Sequence, residues 1–181
     1  MEGNMIGSLL KNLLGYDSLI IILAIVNGAL IIPKLKAVSL ALRRKLQGTI
    51  YLPIEFILES INSNRKKKID LHELQELREK EVFFYHIFDT INGIFPLLGI
   101  LGTIIGLLRM VGVDSGIVMS NFTIALTSTF WGLVFSIAFK AIDGMLAPNF
   151  YQNQENLQLI YERMDIATRE EQIDVKKTPI Q

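Results

Sequence analysis

Two apolar runs, 92–110 and 117–140, are separated only by Val111-Gly112-Val113-Asp114-Ser115-Gly116. A connection that short, with two glycines, makes the elements on either side of it pair antiparallel. Ile117 to Phe139 supplies 23 residues, enough to cross a bilayer with some tilt. In lipid every backbone N–H and C=O must be bonded within the segment, so such runs fold as helices. The chain has 181 residues, half of them hydrophobic, and gathers them in blocks rather than spreading them at helix or strand periods. That clustering is the mark of a membrane protein.

A third apolar run, Leu19 to Ile32, ends at Pro33, and Lys34 and Lys36 mark the membrane exit. We place the first span at 18–33, short against the usual 20 or so residues. Residues 1–17 carry Met5, Ile6, Leu9, Leu10, Leu13 and Leu14 but lack the basic n-region and cleavage site of a signal peptide, and read as an interfacial amphipathic helix. From Lys34 to Glu81 lie eleven of the eighteen Lys and Arg, which by the positive-inside rule puts 34–91 in the cytoplasm. The N-terminus is then periplasmic and the C-terminus cytoplasmic.

Leu71, Leu74 and Leu77 recur at a helical period among Glu73, Glu76, Glu79 and Lys80, and no Ser, Gly or Pro falls between Ile69 and Ile91. This predicts one long helix that rises from the cytoplasm into the second span and ends near Arg109. After the third span, Leu157, Ile160, Tyr161 and Met164 keep helical spacing through the polar tail 141–181. The expected fold is all-α: three transmembrane helices, the second and third extending as long helices into the cytoplasm.

Composition excludes several classes. Without cysteine there are no disulfides, thiolate metal sites or cysteine nucleophile. A net charge of zero argues against a nucleic-acid partner, and Arg65 to Lys68 read as a surface run near anionic lipid headgroups. His72-Glu73-Leu74-Gln75-Glu76 has Glu76 where a zinc-protease helix needs its second His. Asn121-Phe122-Thr123 fits a glycosylation sequon but lies within a span. No metal, cofactor or catalytic group set is expected.

Gly99, Gly102, Thr103 and Gly106 share one helical face, and Gly102 with Gly106 forms a G-x-x-x-G pattern. Ala125, Thr129, Gly132 and Ser136 make a second stripe, flanked by Asn121 and Ser128. Each feature singly is explained by helix packing or by hydroxyls bonding back to a carbonyl four residues earlier. Two such stripes on helices joined by a tight turn imply either a shared lumen or a close-packed partner helix. His86, Asp89 and Asp143 flank these spans on the cytoplasmic side, as solvated charges or as an inner mouth.

Pro96-Leu97-Leu98-Gly99-Ile100-Leu101-Gly102-Thr103-Ile104-Ile105-Gly106, followed by Ala125-Leu126-Thr127-Ser128-Thr129-Phe130-Trp131-Gly132-Leu133, resembles the paired motifs of the MotA/TolQ/ExbB proton-channel family. The resemblance covers roughly Asn92 to Lys140. It implies an inner-membrane homopentamer around two copies of a MotB/TolR/ExbD-like single-span partner bearing an essential Asp, with proton flow driving motion of that partner. It assigns the family's two pore threonines to Thr103 and Thr129. After Gly132-Leu133 this chain has Val134-Phe135-Ser136-Ile137-Ala138 in place of a proline-bearing sequence. One span before the paired motifs and a compact cytoplasmic segment place it nearer the TolQ/ExbB branch than the flagellar stators.

None of the three spans as bounded above carries an ionisable residue near its centre. A buried charge costs roughly 2.5–3.5 kcal/mol on insertion scales and is kept where ions move. A subunit without one fits a site completed by another chain. The pore-lining candidates are therefore Thr103, Thr129, Ser128, Ser136 and Asn121, and the packing candidates Gly99, Gly102, Gly106 and Gly132. The alternative is a structural membrane scaffold without ion conduction.

Overall fold

The computed structural model describes residues 17–50, 71–111 and 115–177, and the N-terminal helix expected over 1–17 falls almost entirely outside them. Helix α1 is Asp17–Ile25, a π-helical turn covers Val26–Ile31, and α2 is Ile32–Ile50. Helix α3 is Leu71–Leu108 and α4 is Ser115–Lys177. No strand occurs among the described residues. Three helices, within Asp17–Thr49, His72–Leu108 and Asn121–Ile166, are long and apolar enough to cross a membrane. The all-α, three-span architecture read from the sequence is the architecture of the molecule.

Helix α3 runs 38 residues without interruption. Its first half is built from strong helix formers held by i,i+4 contacts such as Lys80 to Glu76 at 2.6 Å. Its second half has no water to satisfy backbone groups in any other conformation. Pro96 lies within it, removing the N–H that would bond the carbonyl of Asn92. The helix ends where expected: Met110 and Val111 donate to the carbonyls of Leu107 and Leu108 at 3.0 and 3.3 Å, tightening the last turn.

The first apolar run passes into the charged segment without a break in the helix. Its apolar residues stop at Pro33, but the helix continues to Ile50. Ile32 N–H bonds Asn27 O five residues back, closing a π turn, and Pro33 follows as the second residue of α2.

The described chain divides into two compact units. The first comprises the described parts of Met1–Lys34 and Phe84–Met145. Its core is aromatic: Phe95 and Phe139 stack with centroids 5.3 Å apart, and Phe88 meets Phe139 edge-on at 6.5 Å. Both Phe88 and Phe95 are fully buried, seven residues and so two turns apart. Glycine brings backbones together beside them: a Cβ at Gly132 would lie 2.7 Å from the carbonyl oxygen of Phe95, and one at Gly106 only 2.6 Å from the Ala125 Cβ.

The second unit comprises the described parts of Leu35–Phe83 and Leu146–Gln181. Leu42, Leu46, Leu74, Leu157 and Ile160 form its core, with Leu77 and Met164 against it. The helical period read in the stretches around Leu74 and Leu157 therefore marks a packed face, although Tyr161 stays exposed. A polar group lies inside this unit: buried Glu81 accepts from Arg78 and from Asn153, each at 2.7 Å, and Arg78 covers the Phe150 ring. Asn153 also bonds the carbonyl and hydroxyl of Ser39.

Candidate functional site

The site forms in the first unit where Gly99 lies against α4. A Cβ at Gly99 would meet the Thr129 Cα at 3.2 Å, so only glycine lets the two helices approach this closely. The approach brings Thr103 and Thr129 into direct hydroxyl contact. Thr103 Oγ1 lies 3.2 Å from Gly99 O and 3.3 Å from Ala125 O. Thr129 Oγ1 reaches the same pair of carbonyls at 3.1 and 3.3 Å.

Four oxygens thus share two hydroxyl protons. Each hydroxyl donates once and accepts twice, so the cluster holds more acceptors than donors. Back-bonding to the carbonyl four residues earlier accounts for only half of these contacts; the other half cross between helices. Both threonines are half-buried, so a donor or a cation can approach lone pairs that the two protons leave unused. Nothing in the cluster is acidic.

The other candidate residues divide. Gly99, Gly102, Gly106 and Gly132 are all buried, and Gly99, Gly106 and Gly132 sit on the α3–α4 seam. Asn121 donates to the carbonyl of Arg109 at 2.9 Å, holding the free end of α3. Ser136 is half-buried, two turns from Thr129 on the same face of α4. Asp89 is exposed. Asp143 is nearly buried, accepting from Tyr85 at 3.1 Å and pairing with Lys140 at 2.8 Å.

Ser128 does not join the threonines. It is fully buried and donates to Asp17 Oδ1. Asp17, at the junction of the expected interfacial helix and the first apolar run, is not among the residues singled out from the sequence. Asn27 and Asn92 were missed as well; they meet in a buried amide contact at 2.8 Å. Each stands in or beside an apolar run, where an amide must find a partner, and that is a signal the sequence offered. Among the described residues no three His, Asp or Glu side chains gather to hold a metal ion.

A family model described as the MotA/TolQ/ExbB proton channel family matches residues 43–159, nearly two thirds of the chain. No match was found among curated proteins or among solved structures. The matched region includes the Thr103–Thr129 cluster, the glycines of the seam and most of the second unit. The chain, a multi-pass membrane protein, belongs to the MotA/TolQ/ExbB proton channel family.

Proposed function

We propose that this protein is the pore subunit of a proton-driven motor in the bacterial inner membrane. Five copies surround two copies of an ExbD/TolR/MotB-like partner whose single span carries an aspartate, and proton flow moves that partner to exert force on the cell envelope. The N-terminus is periplasmic and the C-terminus cytoplasmic, in keeping with the eleven Lys and Arg between Lys34 and Glu81. The subunit performs no covalent chemistry.

One observation carries the reading: a half-buried cluster within membrane-spanning helices that has oxygen acceptors to spare. A protonated carboxyl on a partner helix is the donor such a cluster lacks. Thr103 and Thr129 accept its proton bond, stabilise the neutral acid as it passes, and give up that bond when the proton leaves. One charge moved across 100 mV releases about 2.3 kcal/mol, enough to break and remake contacts of this strength.

The purified complex tests the assembly. Five copies of this chain with two of a single-span partner are expected by native mass spectrometry; a monomer refutes the architecture. Cells carrying Thr129→Val are expected to assemble the complex and lose the energised function. A scaffold would tolerate that change, since valine matches threonine in shape.

A further inference from the structure

We propose that Asp17 and Ser128 form a proton-binding site belonging to this chain itself, separate from the threonine cluster. Asp17 is 1% exposed and Ser128 fully buried. Ser128 Oγ donates to Asp17 Oδ1, while Oδ2 is buried without a hydrogen-bond partner. A carboxylate buried from water and bonded by one hydroxyl is expensive; a proton on Oδ2 removes the charge and leaves the Ser128 bond in place.

The position gives this weight. Ser128 lies about 20 Å along α4 from Ser115 at the helical rise per residue. Ser128 stands midway along the apolar run 117–140, so its bond holds Asp17 at that depth on α4, although Asp17 precedes the span read at 18–33. Among the described residues no other ionisable group faces it: α1 and the π turn carry none after Asp17, α3 none between Asn92 and Leu108, and α4 none between Ser115 and Phe139. The nearest along those helices are Arg109, which is exposed, and Lys140, which pairs with Asp143. An ionisable group kept within a membrane in this way marks a place where protons are taken up and released.

Ser128 and Thr129 are consecutive, so one turn of α4 carries the hydroxyl that holds Asp17 and the hydroxyl that meets Thr103. Loading of Asp17 is thereby registered by the same turn that shapes the threonine cluster. Its part in conduction rests on the channel reading above; proton binding by the subunit does not.

Infrared difference spectra of the full chain in lipid nanodiscs, without partner, test the site as pH is lowered. A carboxylic-acid C=O band is expected to appear with acidification, to be lost in Asp17→Asn, and to move to higher frequency in Ser128→Ala. Asparagine keeps the shape and the acceptor for Ser128, so its fold is preserved. Identical spectra for the wild type and Asp17→Asn at every pH overturn the proposal. So does an Asp17-dependent band that stays constant across the titration.

Discussion

At the residue scale, the first unit rests on a few polar contacts between helices otherwise packed by aromatic and aliphatic groups. The Asn27–Asn92 pair decides how much such contacts contribute. It is formed by a single bond, with Asn27 Oδ1 and Asn92 Nδ2 both buried and unpartnered. Coupling between polar residues in membrane helices averages about 0.6 kcal/mol and reaches about 1.7. Asn27→Leu alone should destabilise by about 1–3 kcal/mol because Asn92 is left without a partner, whereas the double Asn27→Leu, Asn92→Leu variant should lie near the wild type. A double-mutant unfolding cycle in bicelles measures this, and additive losses would contradict it. The threonines could be read from the sequence because they interrupt a glycine stripe, a local pattern. For Asp17, Asn27 and Asn92 the sequence shows a polar residue in or beside an apolar run but not its partner, which lies 111 or 65 residues away.

At the element scale, the sequence is a faithful guide to helix existence and a poorer one to helix ends. Absence of Gly and Pro from 71–91 predicted the long α3, and the helix is there. Pro33 marks the end of the apolar residues, and the helix runs on through it to Ile50, with a π turn just before it. Glycines separate the same way. Gly132→Ala should cost about 1–3 kcal/mol, because its Cβ meets the backbone of Phe95 and Gly99 at 2.7 and 2.9 Å and neither can turn aside. Gly144→Ala, with nothing within 4 Å, should stabilise α4 by about 0.5–1 kcal/mol. Thermal unfolding of both variants separates a packing glycine from an idle one. On the solvated part of α3, the Lys80 hydrogen bond and charge hold the Glu76 carboxyl below its ordinary value. That contribution to stability is present above the unfolded value and is lost as pH falls through the folded one. Carbon-13 titration should place Glu76 higher in Lys80→Met.

At the scale of the whole molecule, the two units have distinct chemistry. The second is a helix cluster in which Leu74, Leu157 and Ile160 were legible from their helical spacing, because water on one side and core on the other impose that period, whereas Leu42 and Leu46 were not singled out. Its inner polar group of Glu81, Asn153 and Ser39 was not legible, since each residue alone resembles a solvated helix position. The first unit holds the Thr103–Thr129 cluster, found from the sequence as two small-residue stripes and resolved by the structure into four oxygens sharing two protons. The proposed role of these spare acceptors is to serve a moving proton. Proton flux through the reconstituted complex under an imposed potential of about 100 mV tests it, for the wild type, Thr129→Ser and Thr129→Val. Thr129→Ser, which keeps the hydroxyl, is expected to conduct, and Thr129→Val to assemble normally while flux falls to the background of partner-free liposomes. Wild-type flux through the valine variant would contradict that role.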